Sequence, residues 1–371
     1  MTTPDLVSPV APRSSRRVER FNTIVVGGGQ AGLSAGYHLQ QRDVDFVIVD
    51  AQQRVGDVWR NRWDTLRLFT PAKYSGLPGM PFPAQPMHLP DKDEVADYLE
   101  RYAERFDLPI RSDTHAESLV RDSERWVLRT NNGTLEADNV VVATGPFQRP
   151  HIPDVAQRLS PDIHQIHSSA YRSPFDLADG PVLVAGVGNS GAQIAVELAR
   201  HRTVWLAGRD PGHLPRRVLG RDLFAWLWPV MHRFTLDTRL GRWMRRAAGE
   251  GGDALIGIPE HVLTDAGVVR VGRVGSVRDG WPVCDDTVLR PRTVVWCTGF
   301  ESDYRWIDAA VFDERGVPRH QRGVVAEAPG LYFLGLRFQH RMTSSLVGGV
   351  KHDAEFVASE IVDRIEAAMA E

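Results

Sequence analysis

Twice in this chain a short apolar run feeds into a G-x-G-x-x-G turn and then into a helical pattern. The first copy follows Thr23-Ile24-Val25-Val26 and reads Gly27-Gly28-Gly29-Gln30-Ala31-Gly32, with a predicted helix over 31–40. The second follows Val182-Leu183-Val184-Ala185 and reads Gly186-Val187-Gly188-Asn189-Ser190-Gly191, with a predicted helix over 192–200. A strand that turns this sharply into a helix aims backbone N–H groups and the positive helix end at one point, which is the chemistry a pyrophosphate needs. The two copies differ at the end of the next strand. From Gly27 an offset of 23 residues reaches Asp50, after Phe46-Val47-Ile48-Val49; from Gly186 the same offset reaches Arg209. A carboxylate there accepts hydrogen bonds from an adenosine ribose, whereas a guanidinium suits a 2′-phosphate. The pair therefore reads as FAD in the first site and NADPH in the second, the equipment of an electron-transferring flavoenzyme.

Spacing beyond the turns repeats as well. A hairpin pattern, Arg125 to Thr130 and Thr134 to Glu136 about the turn Asn131-Asn132-Gly133, leads to the apolar strand Val140-Val141-Val142-Ala143-Thr144-Gly145. In the second half, short strands at 268–271 and 274–277 and the turn Asp279-Gly280 lead to Val294-Val295-Trp296-Cys297-Thr298-Gly299-Phe300. The distance from Gly27 to Ala143 is 116 residues and from Gly186 to Cys297 is 111, so the chain reads as a duplicated plan. Residues 71–90 hold six prolines and read as an irregular loop. Residues 91–105 read as an amphipathic helix with Val95, Tyr98, Leu99 and Tyr102 inward. The segment 148–180 links the two halves, and a last strand (331–336) and helix (about 345–370) are expected to rejoin the first. The predicted fold is α/β, with two Rossmann-like dinucleotide-binding domains: FAD over 21–175 and 300–371, hence discontinuous, and NADPH over 176–299. Residues 1–20, rich in Pro, Ser and Arg, read as a disordered leader without a signal peptide's apolar core.

Composition narrows the function classes. Of the 371 residues 42% are hydrophobic and 25% charged, as in ordinary soluble globular proteins. A net charge of −3 gives no electrostatic case for nucleic acid or for an anionic membrane. No run approaches the roughly 18 apolar residues of a membrane span. Two lone cysteines, Cys284 and Cys297, form no C-x-x-C, which argues against a dithiol reductase and excludes a cysteine-rich zinc site. A reducing cytoplasm is the simplest compartment. No metal is called for, and a homodimer is left open.

Further motifs carry a family likeness. Gly56-Asp57-Val58-Trp59, the run from Trp63 to Pro71 (WDTLRLFTP), Leu77-Pro78-Gly79, Ala143-Thr144-Gly145-Pro146-Phe147 and His213-Leu214-Pro215-Arg216 together resemble the flavin-containing monooxygenases, closest to the YUCCA-type and related bacterial branch. His167 through Tyr171 fits the second half of that family's linker signature F-x-G-x-x-x-H-x-x-x-Y/F; Pro161 and Ile163 stand where its Phe and Gly belong. Tyr171, rather than Trp, tilts away from the Baeyer–Villiger branch. Phe69 stands where eukaryotic-type members carry an Asn. The resemblance implies an NADPH-dependent FAD monooxygenase that oxygenates a small organic substrate with molecular oxygen through a flavin C4a-(hydro)peroxide. An NADPH-dependent flavin reductase or oxidase without oxygen insertion is the alternative, and a non-enzymatic nucleotide-binding scaffold the third reading.

The expected FAD set is Gly27, Gly29, Gln30, Ala31, Gly32, Asp50, Trp59, Arg67, Leu68, Thr70, Ala143, Thr144, Gly145, Gly335 and Ser345, the last at a helix N-terminus facing the isoalloxazine. The expected NADPH set is Gly186, Gly188, Asn189, Ser190, Gly191, Arg209, Arg216, Thr298 and Gly299, with Arg217 also near the 2′-phosphate or in a solvated basic loop. His167 and Tyr171 are given a conformational role; no side chain is named as a certain catalyst, because the flavin carries the chemistry. The apolar stretch 223–231 lines a substrate passage, touches a membrane interface or is plain core.

Overall fold

The computed structural model describes residues 18–250 and 254–370. The leader expected over 1–20 lies outside the described residues up to position 17; Glu19 and Arg20 already belong to the first strand, Glu19–Val26. The fold is mixed α/β with a parallel-sheet, Rossmann-like core.

The first sheet is organised by one long strand, Gly133–Val142. Along one edge it pairs in parallel with Glu19–Val26, which in turn pairs with Phe46–Val49 and, beyond it, Ile110–Arg111. Along the other edge its first half pairs antiparallel with Arg125–Thr130, across the two-residue turn Asn131-Asn132, and its last three residues pair in parallel with Leu331–Phe333. The chain thus returns from its far end to complete the first sheet. Strand alternation sorts the core into two layers. Val25 and Val141 face the helices Gln30–Gln40 and Lys351–Ala370, among Leu33, Leu39, Val357 and Ile361. Ile24, Val26 and Val140 face the meander, among Leu119, Trp126 and Leu128.

The helix Lys92–Arg105 closes one side of this unit. Asp91 caps it by accepting the N–H groups of Asp93 and Glu94, and the Glu94 side chain reciprocates at the Asp91 N–H. Val95, Tyr98, Leu99 and Tyr102 are fully buried, as their spacing predicts. The tyrosine hydroxyls stay satisfied by pinning the proline-rich loop: Tyr98 donates to the Met80 carbonyl (2.7 Å) and Tyr102 to that of Pro78 (2.8 Å).

The second sheet is wholly parallel, in the order Val268–Val271, Val204–Ala207, Val182–Ala185, Thr293–Trp296 and His164–His167. Its outer strand His164–His167 lies upstream of the 175/176 boundary expected from sequence, so the second unit begins earlier than position 176. The two chain crossings between the units pair with each other, Arg149–Pro150 against Phe300–Glu301. Two further expectations need correction. The last helix starts at Lys351, because 342–350 runs through successive turns, so Ser345 is not at a helix N-terminus. The stretch 223–231 is amphipathic rather than plain core: within the helix Leu223–Arg233, Leu223, Phe224, Trp228 and Met231 are buried, while Trp226 and Val230 are exposed.

Candidate functional site

The three glycines of each turn do different work, and the two copies agree. Gly27 has φ +112°, and a Cβ there would sit 2.6 Å from the Ala143 carbonyl oxygen; Gly186 has φ +118° and would meet the Cys297 carbonyl at 2.2 Å. Both let the turn close against the end of the sheet's neighbouring strand. A Cβ on Gly32 would meet the Gly27 oxygen at 1.8 Å, and one on Gly191 the Gly186 oxygen at 1.9 Å, so helix and turn can approach only without side chains. Gly29 and Gly188 are different. Their φ values, −79° and −91°, suit any residue, and a Cβ would meet nothing within 4 Å. Nothing in the protein requires glycine at these two positions; a ligand approaching the backbone would.

The first turn opens into a cavity of about 890 Å³, toward the upper end of the roughly 300–1,000 Å³ usual for small-molecule and cofactor sites. Of the residues expected at FAD, Gly27, Gly29, Gln30, Ala31, Asp50, Trp59, Arg67, Leu68, Ala143, Thr144, Gly145 and Gly335 line it. Gly32 supports the turn from behind, Thr70 is buried beside the cavity wall residue Phe69, and Ser345 does not reach the cavity. Asp50 accepts the Gly28 N–H at Oδ2 and the Gln52 N–H at Oδ1, both at 3.0 Å. Burial pushes its carboxyl above the ordinary carboxylate value, and these N–H bonds oppose that.

The second fingerprint contributes to the same cavity. The helix Asn189–Ala199 brings Asn189, Ser190 and Gln193 into its wall. Gln193 is locked across the interface by exchanging hydrogen bonds with the Arg67 backbone, donating to its carbonyl (3.2 Å) and accepting its N–H (3.4 Å). Gly186, Gly188 and Gly191 form the turn behind that helix, and Arg209 stands exposed at the end of Val204–Ala207 with no salt bridge among the described residues. Arg216 is otherwise engaged. Its guanidinium pairs with Asp222 (2.6 Å), donates to the Phe69 carbonyl and lies over the Phe224 ring. That removes the free charge expected at a 2′-phosphate and makes Arg216 a tie between the two units. Arg217 is exposed.

Thr298 and Gly299 belong to the crossing rather than to the cavity. The Thr298 hydroxyl donates to the His151 carbonyl, and the Gly299 carbonyl accepts both the His151 N–H and His167 Nε2, each at 3.0 Å. His167 Nδ1 accepts the Ser169 N–H (3.1 Å), which leaves the proton on Nε2 for Gly299. The ring is buried, packs edge-on to Phe300 and is held neutral, its pKa lowered by burial. His167 therefore fastens the entry to the second unit onto the exit from it. Tyr171, also buried, donates to Glu197 Oε2 (2.9 Å) on the second helix, and burial raises that carboxyl's pKa. Neither side chain lines the cavity.

Other lining residues were not among those expected at either dinucleotide. Arg62 lies beneath Phe147 and Phe300, its charge 5.5 and 5.4 Å from the two ring centres, and burial followed by Arg172 lowers its pKa. Trp63, which opens the WDTLRLFTP run, also lines the cavity and is buried with its indole N–H unpartnered. Gln148 donates to the Thr144 hydroxyl and to the Gly145 carbonyl. The cysteines take no part. Burial pushes the Cys284 thiol up to about 11 and Cys297 up to about 12, so neither is a ready thiolate, and neither lines the cavity.

Comparison with known proteins bears on this arrangement. The sequence pattern of the pyridine nucleotide-disulphide oxidoreductase family matches residues 24–233. An uncharacterized CzcO-like oxidoreductase of Geobacillus kaustophilus is 43% identical over 347 residues, 92% of this chain and 98% of that one. The probable indole-3-pyruvate monooxygenase YUCCA9 of Arabidopsis thaliana is 34% identical over 223 residues, 57% of this chain and 53% of its own length. Among solved structures, a flavin-containing monooxygenase from Stenotrophomonas maltophilia superposes with a TM-score of 0.78 at 26% identity, covering 94% of this chain and all of that one.

Proposed function

This chain belongs to the pyridine nucleotide-disulphide oxidoreductase family and is an oxidoreductase, and from that premise we propose that it is an NADPH-dependent FAD monooxygenase acting on a small organic substrate and molecular oxygen. One observation carries the reading: the glycine turn of the first fingerprint and the first turn of the second fingerprint's helix line a single cavity. A hydride donor held by the second turn and an acceptor held by the first would then meet inside one enclosure, as direct transfer requires. Kinship with the Stenotrophomonas flavin-containing monooxygenase and the YUCCA enzymes supports the oxygenase form over a disulphide reductase, and so do the two unactivated cysteines, whose thiols burial pushes up.

The residues suit the two dinucleotides. The open space at Gly29 and Gly188 admits a pyrophosphate against each turn, Asp50 offers a ribose acceptor, and Arg209 offers a free guanidinium to a 2′-phosphate. When bound, the flavin supplies the redox chemistry, accepting hydride and activating oxygen. The chain's own part is to bind, orient and exclude water. Trp59, Trp63, Leu66 and Phe69 form an apolar wall, Gln193 fixes the second helix against that wall, and His167 holds the crossings in register.

Anaerobic reduction with NADPH followed by rapid mixing with oxygen tests the proposal. A near-ultraviolet transient should precede the return of the oxidised spectrum and last longer with NADP⁺ present than after dithionite reduction alone. Immediate return with stoichiometric hydrogen peroxide, candidate substrates included, would refute oxygen insertion and leave the reductase or oxidase.

A further inference from the structure

Outside the cavity, the second unit makes a long excursion between its strands Val204–Ala207 and Val268–Val271. Residues 216–246 hold eight arginines, no lysine and two aspartates, a local formal charge of +6 within a chain whose net charge is −3. Both aspartates are already engaged, Asp222 with Arg216 (2.6 Å) and Asp237 with His340 (2.8 Å). Every arginine of the stretch other than Arg216 is exposed.

Apolar side chains are exposed among these charges. Both tryptophans exposed among the described residues, Trp226 and Trp243, lie here. Val230 follows Trp226 by one helical turn on Leu223–Arg233, and Leu240 precedes Trp243 by one on Arg239–Glu250. The hairpin Arg217–Val218 with Arg221–Asp222 turns through Leu219, which takes φ +51° and is 86% exposed. A leucine in the left-handed region, fully solvated at a hairpin tip, is unfavourable on both counts and gains nothing from its own fold. The inner face, by contrast, is anchored: Phe224 stacks on Phe69 and Trp228 on Tyr74.

We propose that this excursion docks on the surface of an anionic lipid bilayer, the arginines meeting headgroups while Leu219, Trp226 and Trp243 enter the interface. Arginine-rich helices with exposed Trp and Leu have the composition of interfacial elements, and tryptophan favours headgroup depth. Charge decides among occupants. A second copy meeting this face by two-fold symmetry would oppose +6 with +6, whereas anionic lipid complements it and repels the acidic remainder of the molecule. The attachment is peripheral, since no helix among the described residues is long and apolar enough to cross a membrane.

Cosedimentation of the cofactor-loaded, full-length protein with vesicles is the test. It should bind phosphatidylcholine vesicles containing phosphatidylglycerol at low salt, release at high salt and ignore pure phosphatidylcholine. At about fivefold per arginine, replacing Arg242, Arg245 and Arg246 together by alanine should weaken binding about 100-fold. Leu219→Ser with Trp243→Ser, which leaves the charge unchanged, should weaken it at least about tenfold, with melting curves confirming the fold. Absence of binding to anionic vesicles, or unchanged binding by either variant, would overturn the proposal. So would a dimer in solution that Trp243→Ser dissociates while vesicles remain unbound, which would make the face a contact between copies.

Discussion

Replacing Gly29 by alanine separates ligand binding from folding. At this position φ is −79° and the new methyl would meet nothing within 4 Å, so the folded chain accepts it without strain. Gly29 caps the helix Gln30–Gln40, and losing glycine from a cap costs about 0.5–1 kcal/mol. Restricting the unfolded chain returns about 0.4–1 kcal/mol. The apoprotein should therefore melt within a degree or two of wild type. The methyl occupies the space a pyrophosphate would take, and forfeiting one charge-assisted hydrogen bond, about 1.5–3 kcal/mol, weakens FAD roughly 10- to 150-fold. At FAD held about 100 times above the wild-type Kd, ligand stabilises wild type by about 2.7 kcal/mol but a 100-fold weaker variant by only about 0.4 kcal/mol. Melting with and without FAD should thus show the ligand-induced rise nearly vanish while the apo midpoint stays. Gly32→Ala is the control: its methyl would lie 1.8 Å from the Gly27 carbonyl oxygen, a backbone clash costing about 3 kcal/mol or more without ligand. If Gly29→Ala keeps wild-type FAD affinity, or loses apo stability as Gly32→Ala does, the open space at Gly29 is not where a pyrophosphate sits.

Other outcomes are open to direct measurement. Arg209→Ala should raise the Kd for NADPH by one to two orders of magnitude, at about 1.5–3 kcal/mol for the lost charged hydrogen bond, and leave NADH nearly unaffected; parallel losses for both would remove Arg209 from the site. Tyr171→Phe should cost about 1–3 kcal/mol in urea unfolding, because Glu197 loses a buried donor, while the rate of flavin reduction stays near wild type; a collapsed rate with full stability would make Tyr171 a participant in the chemistry. His167 binds its proton less readily in the fold than at its unfolded value of 6.5, so its stability contribution is full above that pH and is lost as pH falls toward the lowered folded value. His38 and His320, pushed down to about 4 by burial, act in the same direction. His167→Gln, which can still donate to Gly299, should flatten part of that acid loss in urea midpoints taken between neutral pH and about pH 5; an unchanged slope would show that His167 carries none of it.

What could be read from sequence alone was what short-range geometry fixes. A strand that ends in G-x-G-x-x-G has few conformations available, so the turns at Gly27 and Gly186, the Asp50 and Arg209 offsets, the Asn131-Asn132 hairpin and the inward face of the helix Lys92–Arg105 all follow from local residue order. Tertiary structure decided everything that depends on residues distant in the chain. Only packing brought Asn189, Ser190 and Gln193 to the first turn's cavity, moved His164–His167 to the edge of the second sheet, and bound Arg216 to Asp222 and Phe69 instead of leaving it free for a phosphate. Arg62 and Gln148 reached the cavity by the same route, with no motif that named them. The reason is physical: sterics restrict a backbone over a few residues, whereas the partner of a long polar side chain is settled by which surfaces the cores press together, a choice no local pattern encodes.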